Sequence, residues 1–179
     1  MQVTVIKECG YTEAAIGLSL SWDKDPNDMP TVMRKLYNKD GGHNKFLEQI
    51  SVWIDITAPR YWWSQFDTYR IGVSKQSGST MHTLMKRLLT QGDFEDSIND
   101  GTLIRLNSLI LSKEFHRVKN ELPEGFLQRR IVKTDYKTLR NIIWQRKSHR
   151  LEQWQKFCDE VYNQVGHPEF LSDLMGIEL

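Results

Sequence analysis

The sequence predicts an α+β fold in which a mixed sheet carries packed helices, within a single domain over residues 1–179. Three observations lead there. The segment "QISVWIDIT", Gln49–Thr57, sets Ile50, Val52, Ile54 and Ile56 against Ser51, Trp53, Asp55 and Thr57, the period-two pattern of a strand with one buried face. In the C-terminal stretch from "DYKTLRNIIW" to "NQVG", the apolar positions Leu139, Ile142, Ile143, Leu151, Trp154, Phe157, Val161 and Val165 recur at helical spacing. The length, 179 residues, is that of one domain with its own core.

In chain order, "QVTVI" alternates Val3 and Val5 about Thr4 and suits a first strand. "DPNDMPTVMRKLYNK" has a proline-rich entry and apolar Val32, Met33, Leu36 and Tyr37, which predicts a helix from about Pro30 to Asn38, ended by "DGG". After the central strand, Ala58-Pro59 closes it and opens a helix carrying "RYWWSQFDTYRI", because proline is pre-organised for the first helical turn. Gly72 breaks that helix, "SKQSGST" reads as a polar loop held between two helices, and "MHTLMKRLL" resumes a helical pattern. "FEDSINDGTLIRLNSLILSKEFHRVKN" reads as helical pieces and "LPEGFLQRRIVKT" as a turn followed by a strand; everything from Asp135 to Gly166 reads as one long helix. There is no internal repeat or low-complexity segment.

Composition narrows the function classes. With 24 basic and 23 acidic residues the net charge is +1, so attraction to phosphate has to come from local clusters and bulk nucleic acid is not an expected partner. There is no run of about 18 apolar residues to span a membrane. The start "MQVTVIKECG" lacks the basic and apolar regions of a signal peptide, and the expected location is the cytoplasm. Cys9 and Cys158 stand far apart outside any metal or disulfide motif, so both are expected to be packing residues and no metal site is expected.

Several residues are candidates for chemistry. His43 and Glu48 flank the start of the central strand and could bind a ligand at a sheet edge, although a turn histidine and a solvated glutamate are also common. The aromatic run Tyr61, Trp62 and Trp63 fits core or an oligomer interface better than a cofactor box. Gln65 and Arg70, five apart, could present an amide and a guanidinium from one helix face. "SKQSGST" carries Gly78, so its backbone amides could approach a phosphate, though it does not match the Walker pattern and an ordinary polar turn reads equally well. Asn141, Gln145 and Arg146 could point at a site from the last helix. A serine-histidine-acid triad has no support, since there is no nucleophile elbow and His82 and His149 have no assignable partners.

Taken together, these pieces resemble the flavin-dependent thymidylate synthases from His43 to Arg146, the larger part of the chain. That family has a histidine and a glutamate five apart before a strand ending in Ala-Pro, then a helix with Gln, two residues, and an Arg-His-Arg signature. His43, Glu48, Ala58-Pro59 and Gln65 fall at those spacings, and the signature has become Thr68-Tyr69-Arg70. The family's serine-rich substrate loop, which ends near Arg-Tyr, is similar in placement to "SKQSGSTMH", with Met81-His82 at its end. One arginine for the substrate phosphate is thereby lost. Lys119 before Leu122-Pro123 matches the family's basic residue before a Leu-Pro turn and could meet a phosphate as a point charge. The family's Asn-x-Arg…Asn…Arg run is similar to Asp135, Lys137, Asn141 and Arg146, and its Ala-Gln-Trp-Glu continuation to Glu152-Gln153-Trp154-Gln155, displaced by one residue.

The resemblance implies a flavin-dependent thymidylate synthase-like domain that methylates C5 of a pyrimidine deoxynucleotide such as dUMP. It implies FAD between the protomers of a homotetramer, with NADPH and methylenetetrahydrofolate as co-substrates. His43, Glu48, Arg70, Lys137 and Asn141 would touch FAD; Gln65, Ser77, Ser79 and Lys119 would orient base, sugar and phosphate; Arg146 would stabilise charge developing around N3 and O4. The altered signature opens two further possibilities: a cytidylate or other pyrimidine nucleotide as substrate, or a scaffold that binds a nucleotide or a protein partner without turnover.

Overall fold

The computed structural model describes residues 1–176. Strands β1 (Gln2–Cys9), β2 (Ser51–Pro59), β3 (Ser74–Ser77) and β4 (Leu127–Asp135) form one sheet in the order β1-β2-β4-β3. The Tyr136 N–H donates to the Ile50 carbonyl near one end of the central pair and the Arg60 N–H to the Phe126 carbonyl near the other, so β4 runs antiparallel to β2. The helices are α1 (Tyr11–Trp22), α2 (Met29–Leu36), α3 (Arg60–Phe66), α4 (Thr80–Thr83), α5 (Asp100–Leu111), α6 (Phe115–Glu121), α7 (Tyr136–Arg146), α8 (Glu152–Gln164) and α9 (Ser172–Met175). The fold class is the expected α+β. Along β2 the alternation is realised: Val52, Ile54 and Ile56 are fully buried, while Ser51, Trp53, Asp55 and Thr57 are half-buried.

The chain divides into two compact units. The first comprises Met1–Gln2, Ile56–Thr68 and Gln76–Arg130. Its apolar cluster joins Leu84, Leu89 and Phe94 to Leu106, Leu109 and Ile110 of α5 and to Val118 and Leu122. The tryptophans of α3 are core: Trp62, Trp63 and Phe66 are fully buried, with ring centroids 4.9, 5.0 and 5.5 Å apart. The Trp63 indole N–H donates to the Gln128 carbonyl at 2.8 Å, and Arg130 lies 4.3 Å over the Trp63 ring while pairing with Asp67 at 2.9 Å.

The second unit comprises Val3–Asp55, Tyr69–Lys75 and the chain from Ile131 onward. Phe170 is fully buried against the rings of Tyr11, Tyr37, Phe46 and Tyr136. Arg140 clamps the C-terminal segment, 2.7 Å from Asp173 and stacked over Tyr37 at 4.9 Å. Gly10 enters α1 at φ 101°, and a Cβ there would lie 2.2 Å from the Gln49 carbonyl oxygen, so only glycine fits.

Several expectations are corrected. "SKQSGST" is no loop between helices: Ser74–Ser77 pairs as edge strand β3, and the helix after it, α4, is only Thr80–Thr83. A run of small polar residues has no alternation to read, and its strand conformation comes from hydrogen bonding to β4. The helix after Pro59 stops at Phe66 because Thr68 Oγ1 donates to the Gln65 carbonyl at 2.7 Å and Arg130 draws Asp67 aside. Gln65 and Arg70 therefore do not share a helix face. The long C-terminal helix is two, α7 and α8, because His149 Nδ1 accepts the Leu151 N–H at 3.1 Å and Gln155 donates to the His149 carbonyl, taking backbone groups that a continuous helix would need. Cys9 is exposed at the end of edge strand β1, whereas Cys158 is buried as expected, with its thiol pushed up to about 12 by desolvation.

Candidate functional site

In the second unit the candidate residues gather along α7. Asp135 caps this helix, accepting the Thr138 N–H at 2.8 Å and the Thr138 hydroxyl at 3.1 Å. Burial nevertheless raises its carboxyl above the ordinary range, outweighing those two bonds. Gly72 lies directly on the cap, where a Cβ would fall 2.1 Å from Thr138 Oγ1 and 2.9 Å from an Asp135 oxygen, and its φ is +72°. Three residues earlier Tyr69 turns its phenol to the other end of the same helix. The segment is thus anchored at both ends of α7, with exposed Arg70 between the anchors.

The anchor at Tyr69 is a hydrogen-bonded chain. Arg146 Nε donates to Tyr69 Oη at 2.7 Å, Tyr69 Oη donates to Gln145 Oε1 at 3.0 Å, and Gln145 Nε2 donates to Asn141 Oδ1 at 3.1 Å. The Arg146 guanidinium also lies 4.8 Å over Trp154 and 5.5 Å over Tyr69. One helical turn before Asn141, Lys137 Nζ meets Glu48 at 2.5 Å, with the two side chains 40% and 46% exposed. An ion pair this open contributes about 0–1 kcal/mol and yields readily to a competing anion. His43 is exposed on the turn before Glu48 and, with Arg70, joins neither network among the described residues.

In the first unit Lys119, half-buried on α6, donates to Thr80 Oγ1 at 2.8 Å, which brings it beside Ser79, the residue preceding α4. The Ser79 carbonyl accepts the N–H groups of His82 and Thr83, and Ser77 is exposed at the end of β3. Gln65 is half-buried in the last turn of α3. The Gly78 amide, a candidate for phosphate, instead donates to the Arg129 carbonyl at 2.9 Å, while the Gly78 carbonyl accepts from Gln128. Edge pairing has used the donor that a phosphate would need. Among the described residues no group of three or more His, Cys, Asp or Glu is placed to hold a metal, and no helix is long and apolar enough to cross a membrane.

No family model and no curated protein matches the chain. Solved structures do. A flavin-dependent thymidylate synthase from Helicobacter pylori, crystallised with FAD and dUMP, superposes with a TM-score of 0.82 over 99% of this chain and 100% of its own, at 15% sequence identity. A second Helicobacter pylori structure, also with FAD and dUMP, gives 0.81 over 98% and 99%, at 16% identity. The chain has the flavin-dependent thymidylate synthase fold.

Within that fold Thr68, Tyr69 and Arg70, the three residues that resemble the signature in placement, have divided roles: Thr68 closes off α3, Tyr69 reaches α7, and Arg70 is exposed. The structure joins Asn141 and Arg146 through Gln145 and Tyr69, links Glu48 to Lys137, and sets Lys119 beside Ser79. Sequence reasoning missed Tyr69 and Thr80 as partners of these residues. Tyr69 had a signal, since it stands where the family that the chain resembles has the middle residue of its signature; Thr80 is one hydroxyl among many in a serine- and threonine-rich run.

Proposed function

We propose that the protein is a flavin-dependent enzyme that transfers a one-carbon unit to C5 of a pyrimidine deoxynucleotide such as dUMP. It would take that unit from methylenetetrahydrofolate, use NADPH as reductant and work as a cytoplasmic homotetramer. The observation that carries the reading is the end-to-end match in fold to an enzyme whose crystals hold FAD and dUMP.

The side chains assigned to FAD fit an oxygen-rich anionic dinucleotide. Arg70 and Lys137 are cations, and Asn141, whose Oδ1 is already engaged by Gln145, offers its NH2 donors. Glu48 holds Lys137 until an anion replaces it, and His43, on its exposed turn, is a further donor. FAD, when bound, supplies the redox chemistry of the reaction. For C5 to be nucleophilic toward the one-carbon electrophile the pyrimidine must take on enolate-like character, with negative charge shared among C5, O4 and N3, and Arg146 would stabilise that charge as a pre-oriented guanidinium. Lys119 would meet the nucleotide phosphate, with Ser77, Ser79 and Gln65 orienting sugar and base. No cysteine nucleophile is needed on this route, which suits a chain whose Cys158 thiol is buried and pushed up to about 12.

The test is a FAD titration followed by transfer of a labelled one-carbon unit from methylenetetrahydrofolate to dUMP, repeated with dCMP, in the presence of FAD and NADPH. Bound flavin and labelled thymidylate are expected. Nucleotide binding without turnover on either substrate would favour a binding protein built on this scaffold. An absence of both flavin and nucleotide binding would end the reading.

A further inference from the structure

We propose that Tyr69 is the positioning residue for Arg146, and through Gln145 for Asn141, by way of a one-directional hydrogen-bond relay; the functional part of this inference rests on the reading above. The direction follows from the donors. The Arg146 Nε–H can only donate, so Tyr69 Oη accepts it at 2.7 Å, which turns the single phenolic proton to Gln145 Oε1 at 3.0 Å. With its oxygen so used, the Gln145 amide gives an N–H to Asn141 Oδ1 at 3.1 Å, and Asn141 is left presenting its NH2 group outward. One phenol therefore sets both the plane of a guanidinium and, through Gln145, the orientation of an amide five residues earlier on α7. Tyr69 is itself 9% exposed and edge-on to Trp154 at 6.2 Å, and Trp154 carries the Arg146 guanidinium, so neither end of the Arg146–Tyr69 bond is loose. A phenylalanine at position 69 would keep this packing and remove only the hydroxyl.

The relay predicts that the group meeting Asn141 is an acceptor, such as a phosphate or ring carbonyl oxygen, and that Tyr69 acts on turnover through Arg146 without touching the nucleotide. The experiment compares wild type, Tyr69→Phe and Gln145→Met, the second variant being on an exposed side chain where folding is not at issue. Losing a hydrogen bond to a charged group should lower kcat by about 10- to 100-fold in Tyr69→Phe, with the KM for dUMP within about threefold. Gln145→Met should weaken FAD binding by several fold. Independently of any activity, the Arg146 Nε–H resonance, assigned by its loss in Arg146→Lys, should exchange slowly in the wild type and rapidly in Tyr69→Phe. Turnover within about twofold of wild type in Tyr69→Phe, with the resonance still protected, overturns the relay. If the wild type neither turns over nor binds FAD or nucleotide, the functional reading fails and the resonance alone decides the relay: loss of protection in Tyr69→Phe supports it and retention overturns it.

Discussion

If Arg146 stabilises charge that develops on the pyrimidine, its interaction strengthens between ground state and transition state. Arg146→Ala is then expected to lower kcat by about a hundredfold or more while dUMP affinity changes little. Lys119→Ala is expected to behave oppositely, since a phosphate contact is made equally in both states: KM rises and kcat stays near wild type. Steady-state kinetics on the two variants decides, and an Arg146→Ala enzyme that matches wild type would remove the assigned role. Gly72 makes a prediction of a different kind. Its φ of +72° and the 2.1 Å approach of a built Cβ to Thr138 Oγ1 leave no room for a side chain on the cap of α7. Gly72→Ala should therefore cost about 2–3 kcal/mol in chemical denaturation, and a loss below about 0.5 kcal/mol would contradict the close approach.

At the scale of elements, the break between α7 and α8 depends on an unprotonated histidine. Desolvation lowers the His149 pKa, and the nearby Arg146 and Arg150 guanidiniums lower it further, so Nδ1 stays free to accept the Leu151 N–H. The unfolded chain binds that proton more readily than the folded one. Stability from this group is therefore full above the ordinary histidine pKa of about 6.5 and is lost as pH falls from there through the lower folded value. The fall in Tm between neutral pH and pH of about 5 should be smaller in His149→Gln than in wild type, because the substituted amide does not titrate. Equal slopes would show that the connection is indifferent to the ring's protonation. The same break explains why periodicity misleads here: Leu139, Ile142 and Ile143 on one side and Trp154, Phe157 and Val161 on the other all face core, so the apolar rhythm carries across a backbone that is not helical between them.

At the scale of the whole molecule, the proposed homotetramer gives light scattering a clear target, four times the chain mass of 21.1 kDa. The exposed Ile104 and Leu111, seven apart on α5, and exposed Trp144 on α7 are apolar side chains of the sort an assembly covers. A monomer at working concentration would remove the assembly from the proposal and, with it, the flavin site that the resemblance builds from more than one protomer.

Much of the fold was legible locally. The alternation of Val52, Ile54 and Ile56 needs only one buried face to express itself, and the turn before β4 and the pieces α5 and α6 follow from short-range pattern and breakers. The sequence also singled out Glu48 with Lys137, Asn141 with Arg146, and Ser79 with Lys119, residues the structure sets together, because they stand at the spacings through which the chain resembles the family. Helix α1 was not legible. Its buried face is Ala14, Ala15 and Ser19 while Ile16, Leu20 and Trp22 are exposed, which inverts the hydrophobic stripe a reader looks for. Strand β3 was not legible either, for its only instruction is the neighbouring β4. Nor does sequence order bring Tyr69 to Gln145 and Arg146, or Glu48 to Lys137, since partners 76, 77 and 89 residues apart are chosen by which elements pack together. Local pattern specifies elements because backbone geometry is local; a site is a set of long-range neighbours, and only the packed chain selects them.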